Sequence, residues 1–169
     1  MGLYRRPERP PAIAFLDISG YTRMTEERGD QAAADLAAEL GGLVQRGAAA
    51  HGGRPVKWLG DGGDVLLPGP RGRGQGHPGD GPGHPTFGLP AAHAGVAAGP
   101  VIFLDGDYFG RTVNLAARLA GRAEAGQTLV SEDVVSLVGG DGERFRDVGE
   151  LRLKGIPAPV HVYEAVARS

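Results

Sequence analysis

A tract of glycine and proline divides this chain in two. More than half of residues 68–90 are Gly or Pro, with Arg71, Arg73, His77 and His84 among them. Proline lacks a backbone donor and glycine loses the most entropy on ordering, so neither a helix nor a central strand persists through such a stretch. It reads as a loop or disordered segment, of a length unusual inside a compact domain. The fold must therefore be assembled from what lies on either side. With 169 residues the chain is one domain's worth and long enough to bury a core. We expect a tail over 1–11 and one domain over 12–166, interrupted by 68–90.

Before the tract, Ala12 to Ile18 is an apolar run ending in Asp17-Ile18 and flanked by turn residues, which reads as a buried strand. Asp30 is placed to cap a helix reaching about His51, with Leu36, Leu40, Leu43 and Val44 on one apolar face; Gly41-Gly42 weakens that helix and Gly52-Gly53 stops it. Residues 54–59 and 63–67 read as strands of a hairpin turning at Gly60-Asp61-Gly62-Gly63. After the tract we expect a strand pair over 92–98 and 100–104 turning at Gly99-Pro100. A helix over 112–123, a strand over 128–130, a short helix over 132–138 and closing strands over 144–153 and 158–166 follow. The resulting order, β-α-β-β then β-β-α-β-α-β-β, points to an α+β domain with a mainly antiparallel sheet.

Composition narrows the function classes. Net charge is −2 with both signs mixed along the chain, which argues against a nucleic-acid partner. No run approaches the ~20 apolar residues of a membrane helix, and Met1 to Pro11 has no apolar core of a signal peptide. Cysteine is absent, which removes disulfides, thiolate nucleophiles and Cys-based zinc sites. The expectation is a cytoplasmic protein with neither a membrane nor a nucleic-acid partner.

Three places carry residues suited to chemistry. Asp17 ends a strand beside the turn Ser19-Gly20-Tyr21-Thr22, where a carboxylate can hold a hard cation and turn N–H groups can cradle phosphate; it could equally just cap the turn. Asp61 sits at a glycine-flanked hairpin tip that permits close approach to a ligand, or is an ordinary Asp-Gly turn. In a split β-α-β core the first strand and this hairpin can lie side by side, so the two carboxylates could share a pair of metal ions. Asn114 and Arg118 are four apart on one predicted helix face, which suits an anionic ligand or a solvated surface. His77 and His84 have no evident third ligand to make a metal site.

At these residues a resemblance becomes specific. Phe15-Leu16-Asp17-Ile18-Ser19-Gly20-Tyr21-Thr22 resembles the first metal motif of class III adenylate/guanylate cyclase catalytic domains. Lys57-Trp58-Leu59-Gly60-Asp61-Gly62 resembles the second, with Lys57 four residues before the aspartate. Asp107-Tyr108-Phe109-Gly110, Val113-Asn114 and Ala117-Arg118 resemble the third, keeping an Asp seven before the Asn and an Arg four after it. Leu153-Lys154-Gly155-Ile156, Pro159-Val160 and Val162-Tyr163-Glu164 are similar to the closing strands. Gly62-Gly63-Asp64 is similar to the diguanylate cyclase signature only until Val65-Leu66, where that family has Glu-Phe.

The resemblance implies a ferredoxin-like (split βαβ) core, an adenylate-type bacterial cyclase and the following roles. Asp17 and Asp61, helped by the Ile18 carbonyl, would bind two Mg²⁺ or Mn²⁺ ions per site. Lys57 and Asp107 would read adenine, because a lysine donor suits ring N1 and a carboxylate acceptor suits the 6-amino group. Asn114 would orient the ribose, Arg118 would stabilise charge at the α-phosphate, and Lys154 would reach the terminal phosphates. The substrate would be ATP, and a symmetric homodimer would form two equivalent sites, each shared between subunits. The alternatives are a guanylate cyclase, or a non-catalytic nucleotide-binding or dimerisation module. The last is favoured by Pro68 to Pro85, which stands where relatives carry an amphipathic helix covering the sheet. Either a reading-frame shift in a GC-rich gene or a genuine insertion would produce this tract, and one sheet face is expected to lose cover.

Overall fold

The computed structural model describes residues 10–50, 53–59, 62–67, 91–139 and 144–166. The expectations for 68–90, His77 and His84 fall outside them, as does Asp61. The first strand is β1, Ala12–Ile18. Gly20, at φ 74°, turns the chain into α1, Tyr21–Arg28, an element the sequence reading missed. It is mostly polar, and its attachment consists of Tyr21 and Met24 packing on Ile18, Leu36 and Leu40. Gly29, at φ 85°, then redirects the chain into α2, Asp30–Ala50. Asp30 is thus the first helical residue, not a residue before the helix. The helix runs through Gly41-Gly42 although each glycine costs about 1 kcal/mol against alanine, because Leu36 and Leu40 are buried on the sheet side. Leu43, expected on that face, is 40% exposed.

The hairpin follows as β2, Arg54–Leu59, and β3, Gly62–Leu67. Beyond the tract come β4, Ala92–Ala98; β5, Ile102–Leu104; β6, Asp107–Phe109; α3, Arg111–Arg122; β7, Thr128–Ser131; α4, Glu132–Val138; β8, Phe145–Leu151; and β9, Val160–Ala165. Among the described residues, seven strands form one sheet in the order β2-β3-β1-β4-β7-β9-β8. Every neighbouring pair is antiparallel except β4 and β7, which α3 connects. β3 lies between β1 and β2, so β1-α2-β2 is the expected split β-α-β unit. The fold is α+β with a mainly antiparallel sheet.

One expected pairing is corrected. Residues 100–104 do not fold back on β4; β5 pairs with β6 in a separate two-stranded sheet turning at Asp105-Gly106. Val101 and Tyr108 pack on the core while Ile102 and Leu104 stay exposed, so the segment leaves the main sheet after Gly99.

Side chains of β1 alternate between two layers, as a strand requires. Ile13 and Phe15 join Leu115, Ala116 and Leu119 of α3, whereas Ala14, Leu16 and Ile18 pack toward Val44, Leu36 and Leu40 of α2. Among the described residues both faces of the central strand therefore have a helix on them. The α3 layer is tight: a Cβ at Gly95 would lie 2.1 Å from the Ala120 backbone nitrogen and 2.3 Å from the Ala116 carbonyl oxygen. Among the described residues no helix is long and apolar enough to cross a membrane.

Candidate active site

The centre of the sheet places Asp17. Its register partners are Gly62 on β3 and His93 on β4, one on each side. It projects on the α3 side with Ile13 and Phe15, at the end of β1, where its carboxylate stays 46% exposed. Asp61 immediately precedes Gly62 in sequence but lies outside the described residues. A Cβ at Gly62 would come within 2.5 Å of the Leu16 carbonyl oxygen and 3.2 Å of Asp17 Oδ1. Glycine thus keeps the space beside the carboxylate open.

His93 went unnoticed in the sequence. Its ring lies between two residues of the first motif, with Nδ1 2.9 Å from Ser19 Oγ and Nε2 3.5 Å from Asp17 Oδ2. The available signal was a lone polar residue in the small, apolar run Ala91 to Ala98. Ser19 offers less than expected of its backbone, because its N–H donates to the Ala91 carbonyl at 2.9 Å and is committed to the sheet edge.

The third motif is split by local folding. Tyr108, 8% exposed, anchors β6 in the core and sets Asp107 at the cleft edge. Asp107 Oδ1 accepts the Tyr108 N–H at 2.8 Å, and Oδ2 lies 3.8 Å from Lys57 Nζ. These two side chains are 39% and 52% exposed. An ion pair so solvated is worth at most about 1 kcal/mol, so a ligand offering better partners can separate it. Asp17, His93, Lys57 and Asp107 line one cleft of about 470 Å³, walled on one side by α3 from Val113 to Gly121.

Arg118 and Lys154 line a second depression of about 210 Å³, which shares Ala117 and Gly121 with the first. Asn114 is exposed one helical turn before Arg118 and lines neither. The fold thus gathers Asp17, Lys57 and Asp107 at one cleft, sets Arg118 and Lys154 in the adjoining one, and leaves Asn114 outside both. Ile18 points its side chain into the α2 layer, 3% exposed.

The donors present suit a hard divalent cation: an accessible carboxylate in a space that a side chain at 62 would fill. Among the described residues no three His, Cys, Asp or Glu side chains cluster as a metal site.

In sequence and in fold the chain is similar to known proteins. Residues 93–165 match the model of the adenylate and guanylate cyclase catalytic domain. An uncharacterised protein of Mycobacterium tuberculosis is 36% identical over 90% of this chain and 40% of its own length. A pH-sensitive adenylate cyclase of the same species is 29% identical over 92% of this chain and 40% of its own. The chain therefore spans about 40% of the length of these curated relatives. The crystal structure of the adenylyl cyclase CyaB from P. aeruginosa superposes with a TM-score of 0.68 at 25% identity, covering 95% of both chains. Motifs, sheet order and these matches agree: the chain has the fold of the class III cyclases, and its residues 93–165 match the adenylate and guanylate cyclase catalytic-domain family.

Proposed function

We propose that this chain converts ATP to 3′,5′-cyclic AMP and pyrophosphate at sites shared between the subunits of a homodimer. The observation that carries the adenine preference is the Lys57–Asp107 pair, 3.8 Å apart and lining the larger cleft. In it a donor and an acceptor stand side by side, which matches ring N1 and the 6-amino group of adenine. Guanine presents a proton and a carbonyl at those positions, so both contacts would be lost.

In the reaction the ribose 3′-oxygen forms a bond to the α-phosphorus, and the bond from that phosphorus to the oxygen bridging to the β-phosphate breaks. The 3′-hydroxyl proton is released and pyrophosphate leaves with the bonding pair. Asp17, Asp61 and the Ile18 carbonyl would hold two Mg²⁺ or Mn²⁺ ions, which supply activation of the attacking oxygen and neutralisation of phosphate charge. Asn114 orients the ribose. Arg118 donates to the α-phosphate oxygens as charge builds on them. Lys154 draws the leaving phosphates.

The dimer follows from division of labour: in the family resemblance, metal aspartates and purine-reading residues of one site come from different chains. A further feature supports it. The β5–β6 hairpin exposes Ile102, Phe103, Leu104 and Phe109 at 64%, 59%, 57% and 49%. Contiguous apolar surface of this kind marks an interaction face.

The test is direct. The purified chain is incubated with ATP or GTP and Mg²⁺ or Mn²⁺, and cyclic product is measured. Cyclic AMP from ATP, abolished by Asp17→Ala, is the expected result. Cyclic GMP as the main product would assign the guanylate reaction instead. A folded dimer yielding no product from either nucleotide would leave a nucleotide-binding or dimerisation module.

A further inference from the structure

Arg118, Arg122, Arg152 and Lys154 line the smaller depression together with Ala117, Gly121 and Leu153, and among the described residues no carboxylate belongs to its wall. All four cations are exposed, and none pairs with a carboxylate among the described residues. Arg122 lies one turn beyond Arg118 on α3, so the two guanidinium groups rise from one side of that helix. Arg152 and Lys154 flank Leu153, whose side chain is 6% exposed and anchored in the core. Like charges brought this close repel. In a chain of net charge −2, an uncompensated cluster of this kind is a local reversal of sign that attracts anions.

Gly121 is a second, independent sign. Its backbone is helical without positive φ, and among the described residues a Cβ there would meet nothing within 4 Å. Neither conformation nor packing requires glycine, and alanine is the better helix former. What distinguishes positions 117 and 121 is that both border the two depressions. With alanine and glycine there, the ridge between the cleft of Lys57 and Asp107 and the cationic depression is low.

We propose that Arg122 and Arg152 join Arg118 and Lys154 in a single anion site for the phosphate chain of a nucleotide and for the pyrophosphate that leaves it, reached from the larger cleft over the Ala117–Gly121 saddle. The assignment of a nucleotide rests on the cyclase reading above; the anion site itself does not. Guanidinium groups grip phosphate oxygens through paired N–H donors, which a lone ammonium cannot reproduce. Arg122 and Arg152 therefore retain pyrophosphate after the chemical step, and their removal weakens product inhibition.

The test is calorimetric titration of the full chain with inorganic pyrophosphate in buffer without divalent metal. The wild-type protein should bind, and the Arg122→Gln/Arg152→Gln double variant should bind at least about tenfold more weakly with an unchanged melting temperature. Arg122→Lys/Arg152→Lys should recover part of the loss, since charge returns without the fork. AMP, which has no terminal phosphates, should bind both proteins alike. If the double variant fails to fold, Arg122→Gln and Arg152→Gln are titrated singly, each expected to weaken binding several-fold. Equal pyrophosphate affinity in wild type and variant, or no binding by wild type, would overturn the proposal. Loss of cyclisation with pyrophosphate binding intact would instead reject the cyclase reading and leave this site standing.

Discussion

Asp17 gets its position from β-sheet register. Gly62 and His93 face it from the two neighbouring strands, and each makes a separate prediction. An alanine at 62 would drive a methyl group into the Leu16 carbonyl and against the Asp17 carboxylate. A backbone oxygen cannot swing aside, so the strands must shift, at a cost of about 1–3 kcal/mol. Gly62→Ala should lower stability by that amount in urea unfolding and reduce cyclase turnover by more than tenfold. His93 ties Ser19 and the Asp17 carboxylate to β4. In His93→Ala the carboxylate loses a fixed neighbour, so the Mn²⁺ concentration giving half-maximal rate should rise several-fold while melting changes little. An unaltered metal dependence would show that His93 has no part in positioning Asp17.

Among the elements, α3 is decisive because it serves core and site at once. Leu115, Ala116 and Leu119 face the sheet, while Arg118 and Arg122 face solvent, as the 3.6-residue period allows. Contact with β4 is made backbone to backbone at Gly95, where added atoms would lie within 2.1–2.7 Å of α3. Gly95→Val must push the helix off the sheet and should cost more than the usual overpacking range of about 1–3 kcal/mol. Loss of the thermal unfolding transition, or a far lower melting temperature, is the expected result. Leu119→Ala, which empties a site of 0% exposure, should cost about 2–5 kcal/mol. That variant should lower stability while leaving the residues of the cleft chemically intact. Helix α3 was legible in advance because its apolar positions repeat at helical spacing. Helix α1 was not, since Tyr21 and Met24 alone among its eight residues reach the core cluster and a sequence of polar residues reads as a turn.

For the whole molecule, the proposed division of a site between two chains has a consequence no monomeric enzyme shares. Asp17→Ala and Arg118→Ala should each be inactive alone. Mixed and reassembled, half the dimers pair the two variants, and each such dimer keeps one intact site, so about a quarter of wild-type activity should return. Absence of recovery in a mixture that exchanges subunits would place all residues of one site in a single chain. A charge introduced at Ile102 or Leu104 should lower both the dimer fraction in sedimentation and the activity, because those side chains are already exposed and contribute little to the fold. Most of the scaffold was legible in the sequence: β1, the hairpin of β2 and β3, α2, α3, β7, α4 and the closing strands all follow from apolar spacing and from glycine and proline punctuation, which are local properties. The resemblance of the three motifs implied roles for Asp17, Lys57, Asp107, Asn114 and Arg118, of which the fold gathers Asp17, Lys57 and Asp107 at one cleft. Tertiary structure decided what depends on distant partners. It lifted β5 away from β4 onto β6, set His93 beside Asp17 across 76 residues of chain, and brought Arg122 and Arg152 to one depression with Arg118 and Lys154. Side-chain neighbours across strands and between a helix and a remote loop are set by register and packing, and no local pattern of residues encodes them.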